Sequence, residues 1–260
     1  MDQTLFVPYL KNLTEKYSLA TGLTAEFSKS AIDIKCDKGE FHFYYDFSEV
    51  PAEKTGISNV PLFYWRNKRK YKELKNIVTE GLIGKPLSMR VQHIVAPDEY
   101  VQNIVNVFCY EADLTEYLVD QKINKIFADS YKDKYMNCII STEGEIKASM
   151  ELGLSLKESE PVILHEIVAK EGIASDDDVD SQIQQYPIYV FKGKETLTYN
   201  DIDNELYGLE NTQADCIRFI MDVLQDPSKI EQLNIEAVHL KNLYVAAKES
   251  NSKKEYTGVA

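Results

Sequence analysis

Histidines, cysteines and a run of aspartates offer the most chemistry in this sequence. His93 lies in an alternating apolar stretch and His165 near the start of another. Each either lines a pocket or is a hydrogen-bonded histidine of a sheet. The four histidines lie far apart, with no HExxH, and G-x-S-x-G is absent. Cys36, Cys109, Cys138 and Cys216 form no CxxC pair. That spacing points to free thiols in a reducing cytoplasm rather than a disulfide frame or zinc site. Asp176, Asp177, Asp178 and Asp180 lack the calcium-loop pattern of a central Gly and terminal Glu. A solvated loop is the expectation there, and no metal site is expected anywhere in the chain.

Nucleotide motifs are missing too. No G-x-G spacing occurs among the eleven glycines, and no GxxxxGK[ST]. A pyrophosphate-binding turn needs such glycines so that backbone amides can approach phosphate at a helix N-terminus. The chain is therefore not expected to bind NAD(P) in a Rossmann domain of its own. Arg66, Lys68, Arg69, Lys70 and Lys72 form one basic cluster, but the net charge is −13. Phosphate-backbone binding draws on clustered cations, so nucleic acid is not an expected partner. The cluster reads as a solvated helix face with at most one member turned toward an anionic ligand. Trp65 either stacks on a sugar ring or anchors a core or interface. No apolar run approaches the roughly 20 residues of a membrane span. Met1-Asp2-Gln3 lacks a basic leader, so a cytoplasmic location is expected.

Hydrophobic periodicity supplies the elements that must hold these residues. Leu5, Tyr9, Leu10, Leu13 and Tyr17 suit a helix, and residues 31–36 and 40–45 a hairpin. Residues 51–61 read as a loop. Tyr64 to Glu80 is helical and closed by Gly81, and Ser88 to Val95 is a strand. Pro97-Asp98 opens a second helix, through Leu118. Residues 123–131, 136–141 and 145–152 form a meander, and Val162 to Ala169 a further strand. A loop over 174–185, a hairpin at 188–199 and helices over 211–224 and 234–249 complete the chain. This predicts an α+β fold, a largely antiparallel open sheet with helices on one face. The other face is expected to be covered in a subunit interface.

Residues 63–260 resemble the C-terminal domain of the Gfo/Idh/MocA oxidoreductases. The resemblance rests on Tyr64-Trp65-Arg66 to Lys75, then Gly81-Leu82-Ile83-Gly84-Lys85-Pro86, similar to that family's turn into its sheet. It continues through Asp113-Leu114-Thr115-Glu116-Tyr117-Leu118, His165-Glu166-Ile167-Val168 to Gly172, Val179-Asp180-Ser181-Gln182, and Glu236-Ala237 to Glu249-Ser250. It implies an extension at 1–60, a helix and hairpin, and a family-like domain at 61–260, together one compact unit.

What the resemblance implies for chemistry is mostly loss. Family members place a Rossmann domain ending in Glu-Lys-Pro before this region, and the chain has neither the glycines nor that tripeptide. The family's catalytic histidine sits three residues before the helical aspartate. Counting back from Asp113 reaches Tyr110, a poor base at its ordinary pKa near 10. Arg66 corresponds to an arginine near the family's cofactor–substrate cleft. No catalytic or cofactor-binding residue is assigned, and the candidate substrate-binding residues are Arg66, His93, Tyr110, Asp113 and His165. The expected role is a non-catalytic structural, regulatory or sugar-binding subunit. It would assemble through the open sheet face with itself or with a full-length dehydrogenase paralogue. Two alternatives stand beside it: a substrate wall for a composite enzyme whose partner supplies NAD(P), and a stand-alone carbohydrate-binding module.

Overall fold

The computed structural model describes residues 3–48, 51, 55–97, 103–154, 161–176, 188–192, 195–199, 209 and 211–259. In chain order, α1 (Gln3–Lys16) precedes β1 (Thr24–Phe27), β2 (Ala31–Cys36), β3 (Gly39–Tyr44) and β4 (Ile57–Pro61). A 3-10 turn at Tyr64–Asn67 leads into α2 (Arg69–Thr79), β5 (Pro86–Val95) and α3 (Ile104–Val119). Then come β6 (Ile123–Tyr131), β7 (Tyr135–Thr142), β8 (Lys147–Leu154), β9 (Val162–Ala169) and β10 (Ile173–Ser175). The chain continues through β11 (Ile188–Lys192), β12 (Glu195–Tyr199), α4 (Asn211–Gln225), α5 (Lys229–Lys253) and β13 (Thr257–Gly258).

These elements form two compact units where the sequence suggested one. The first takes the described residues of Met1–Lys68 and Asp203–His239, so the division falls at Lys68 rather than at residue 60. Its strands pair in the order β1-β2-β3-β4, with β3 and β4 parallel and the others antiparallel. The expected hairpin is β2–β3. The expected loop at 51–61 instead yields β4, because Val60 and Pro61 bury against the core while Pro61, last in its strand, needs no ladder donor. Phe6 of α1 meets Phe27 edge-on with centroids 5.2 Å apart. Phe47 stacks on Phe63 and packs against Trp65, at 5.4 and 5.7 Å. Trp65 is a buried core aromatic. α4 joins this unit from far along the sequence by packing on the 3-10 turn and burying Ile217, Ile220 and Leu224.

The second unit takes the described residues of Arg69–Asp98, Asn103–Ile202 and Leu240–Ala260. Its nine-stranded sheet runs β12-β11-β10-β9-β5-β8-β7-β6-β13. Only the central pair β5–β8 is parallel, so the sheet is mixed but mostly antiparallel. β6 and β7 join through Lys132 and Asp133, both left-handed at φ 52° and 48°, which matches the twist of a tight hairpin. Met89, Val91, Ile126, Cys138, Ile140, Met150, Leu152 and Ile167 bury one face, against which α3 packs. Each of the Met, Val, Ile and Leu side chains among them contributes about 1.5–3 kcal/mol on burial. α3 begins not at Pro97 but at its N-cap Asn103, whose side chain accepts from Asn106 N at 3.0 Å. At its far end the buried Glu116 carboxylate accepts from Ile123 N at 2.8 Å and tethers the helix to β6.

The other face of the sheet carries Arg90, Gln92, Asn137, Ile139, Ser149 and Glu151 around a shallow hollow of about 310 Å³. Gln92 Nε2 and Tyr135 Oη donate to the two Glu151 oxygens at 2.9 and 2.5 Å. Among the described residues no helix is long and apolar enough to cross a membrane.

Candidate functional site

On the covered face of the second unit, five ionisable side chains from α2, β5, α3, β9 and the end of β10 form one chain of contacts. Val91 and His165 are register partners across β5 and β9, which puts His93 of β5 and His165 of β9 on the same face. Glu111 reaches both from α3. Its Oε1 pairs with His93 Nδ1, and its Oε2 accepts from His165 Nε2 at 2.9 Å. Asp176 closes on His165 from the other side. Its Oδ2 accepts from His165 Nδ1 at 2.9 Å and from Lys70 Nζ at 2.6 Å, and its Oδ1 accepts from the His165 amide at 2.5 Å. The side chains of Glu111, His165 and Asp176 are fully buried.

This geometry fixes the protons. An ionised carboxylate only accepts, so an imidazole held between two of them must donate from both nitrogens and is an imidazolium. Burial works against the charges of His165, Glu111 and Asp176 and is the largest single influence on each. The charges of Asp176 and Glu111, with their hydrogen bonds, outweigh it and push His165 up to about 9. For Glu111, burial is likewise outweighed by His165 and His93, and its pKa falls to about 2. Asp176 is held below the usual carboxylate range against burial by His165 and Lys70. Formal charges from Lys70 to Glu111 cancel, which is how so many ions persist away from water.

Aromatic rings roof the network. Tyr110 stands edge-on to His93 with centroids 5.1 Å apart, and Tyr71 edge-on to His165 at 5.0 Å. Tyr110 Oη donates to Tyr71 Oη at 3.1 Å. Both ring nitrogens of His165 are engaged by carboxylates. His93 presents Nδ1 to Glu111 and keeps Nε2 outside the network.

His93, Tyr110 and His165 thus come together. Asp113 lies on the same helix as Tyr110 and is buried. Arg66 belongs to the first unit, where it pairs with Glu236 at 2.6 Å and covers the Phe63 ring at 4.4 Å. Sequence reasoning missed Glu111, Asp176, Lys70 and Tyr71. Asp176 corrects the solvated reading of the aspartate run at its first residue, while 177–180 lie outside the described residues. Two members of the basic cluster turn to carboxylates of the chain itself, Arg66 to Glu236 and Lys70 to Asp176. Among the described residues no group of His, Cys, Asp and Glu is arranged to hold a metal ion.

The fold is one found in NAD-linked oxidoreductases, as the sequence resemblance to the Gfo/Idh/MocA group anticipated. An oxidoreductase domain protein from Kribbella flavida superposes with a TM-score of 0.60 at 12% identity, over 78% of this chain and 66% of that one. An oxidoreductase from Agrobacterium radiobacter, solved with NAD+, L-tartaric acid and magnesium, gives 0.63 at 14%, over 78% and 65%. Scyllo-inositol dehydrogenase from Lactobacillus casei, solved with NAD(H) and scyllo-inositol, gives 0.55 at 14%, over 78% and 65%. The chain covers less than two thirds of each. No protein-family model and no curated protein matches it.

Proposed function

We propose that this chain is a non-catalytic subunit with an oxidoreductase fold, which binds a sugar or polyol and assembles through its open sheet face. The observation that carries this reading is the hydrogen bond from Tyr110 to Tyr71 above a charge-balanced network. Where the family resemblance calls for a catalytic histidine, a phenol engages a second phenol, and a phenol of ordinary pKa is a poor base at neutral pH. The nearest imidazoles serve Glu111 instead. Similar structures solved with hydroxylated ligands, scyllo-inositol in one and L-tartaric acid in another, support the choice of a sugar or polyol. A face mixing Arg90, Gln92 and Glu151 with Ile139 suits an interface with another copy or with a dehydrogenase paralogue. On this reading the chain binds no NAD(P) alone.

A second reading is favoured by His93, whose Nε2 lies outside the network: the chain lends a substrate wall to a partner that holds NAD(P). Native mass spectrometry of the protein isolated from its source tests both. A homo-oligomer free of dinucleotide is the expected result. A complex with a second, dinucleotide-loaded chain would favour the composite enzyme, and dinucleotide on this chain alone would overturn both.

A further inference from the structure

The last residues of the described chain return to the edge of the nine-stranded sheet. β13 pairs antiparallel with β6, Thr257 opposite Ile126 and Gly258 opposite Lys125, and Val259 N donates to Asn124 O at 3.0 Å. The ladder then stops. Ala128 N donates to Ser250 Oγ at 3.0 Å and Ser250 Oγ donates to Glu255 O at 2.6 Å, so a hydroxyl is inserted where a direct backbone bond would otherwise form. Ser130 N is capped by Asn251 Oδ1 at 2.9 Å. Side chains and a two-residue strand thus satisfy an edge that would otherwise invite another strand.

The strap that does this is weakly held. Lys254 pairs with Asp129 at 2.6 Å, but both side chains are more than half exposed, and such pairs contribute little. Tyr256 meets the Phe127 ring at 5.5 Å. A segment with so few buried contacts opens before the fold does.

β6 is also complementary to itself. Its edge-facing groups belong to the even residues: Asn124 O, Ala128 N and Ser130 N are the ones the tail and α5 engage. Two copies of β6 laid antiparallel and centred on Phe127 set Ile126 against Ala128 as hydrogen-bonded pairs. The same register sets Lys125 against Asp129 twice and Phe127 against itself. Opposite charges and paired aromatics across strands each stabilise by about 0.2–1 kcal/mol. The strap already follows this pattern: Lys254, Tyr256 and Thr257 lie where Lys125, Phe127 and Ala128 of a second copy would lie.

We propose that residues 254–259 occupy the place of a second copy's β6, and that releasing this strap lets two chains join edge to edge through β6. As part of the same chain, the strap competes at an effective concentration in the millimolar range, so it holds the edge closed in the parent protein. The expected partner is another copy of this chain, because the charge pattern is reciprocal only under that pairing.

The test compares the full chain with a released variant, Tyr256→Ser/Thr257→Pro, by analytical ultracentrifugation over a concentration series. The released variant is expected to reach twice the parent's assembly mass, whatever that baseline is. Adding Lys125→Asp should return it to the parent mass, and Lys125→Asp/Asp129→Lys together should restore doubling. In the released background, Phe127→Cys should form an intermolecular disulfide, since non-hydrogen-bonded pairs lie at a Cα separation of about 4.5 Å. Lys254→Glu, which faces Asp129 with a second acid, releases the strap by an independent route if the first variant folds poorly. Released chains that keep the parent mass would overturn the proposal. So would doubling indifferent to Lys125→Asp, which would mean that the edge pairs in another register or with another segment.

Discussion

His165 Nε2 donates to Glu111 Oε2 across 2.9 Å, with neither side chain exposed to solvent. The same carboxylate also holds His93, so one residue of α3 ties β5 to β9. Removing its charge leaves an imidazolium with a single carboxylate in a medium that solvates it poorly. Glu111→Gln is expected to destabilise the second unit by about 3–5 kcal/mol, the range for breaking a buried pair on one side. Urea denaturation followed by near-ultraviolet circular dichroism checks this. A cost under about 1 kcal/mol, typical of exposed pairs, would mean that the network contributes no more than a surface bridge.

Stability should depend on pH in two limbs of opposite sign. Glu111 is lowered from 4.5 to about 2, so its contribution is present above 4.5 and lost as pH falls through 2. His165 is raised from 6.5 to about 9, so its contribution is complete below 6.5 and lost as pH rises through 9. Both are whole between about 4.5 and 6.5, where the urea midpoint should be highest. His165→Gln is expected to flatten the alkaline limb and leave an acid limb from the remaining carboxylates. An alkaline limb that persists unchanged in this variant would assign it to other groups.

The strands of the large sheet were legible because their alternation is local: Ile126 and Ala128, or Ala148 and Met150, announce a buried face within a few residues. β4, β10 and β13 were not, since a short strand such as Thr257–Gly258 exists only through its distant partner. Part of the site was legible for the same reason. His93 and His165 stand out by type, and Tyr110 by its place in the family pattern. Nothing in the sequence singled out Glu111, and Asp176 fell in a run read as a solvated loop. The packing of α3 on β5 and β9 brings Glu111 to both imidazoles, and the pairing of β10 with β9 brings Asp176 to His165.

The thiols should separate cleanly by reactivity. Cys109, Cys138 and Cys216 are buried, and burial pushes the Cys138 thiol up to about 12. Cys36, in β2, is half-buried. Reactivity needs thiolate and access together. A disulfide reagent at neutral pH is therefore expected to modify Cys36 ahead of the other three, with all four reacting in denaturant. Rapid modification of Cys138 in the native protein would show that the sheet core opens far more readily than its packing implies.

Gly172 should be more costly to replace than Gly81, although Gly81 has the less ordinary backbone. At Gly81 φ is +68° and an added Cβ would meet nothing within 4 Å. Alanine there carries only the left-handed penalty of roughly 1–2 kcal/mol. At Gly172 the Cβ would lie 2.6 Å from the Phe191 carbonyl oxygen and 3.2 Å from Ile83. The carbonyl belongs to β11, so it cannot swing aside as a flexible side chain would. β10 must then shift against β11, carrying Asp176 at its end away from His165 and Lys70. Gly172→Ala is expected to add a loss of network contacts to an overpacking cost of about 1–3 kcal/mol. Gly81→Ala should leave the alkaline limb of the stability profile intact, whereas Gly172→Ala should shrink it. Equal costs with both limbs preserved would mean that the β10–β11 pairing does not govern the placement of Asp176.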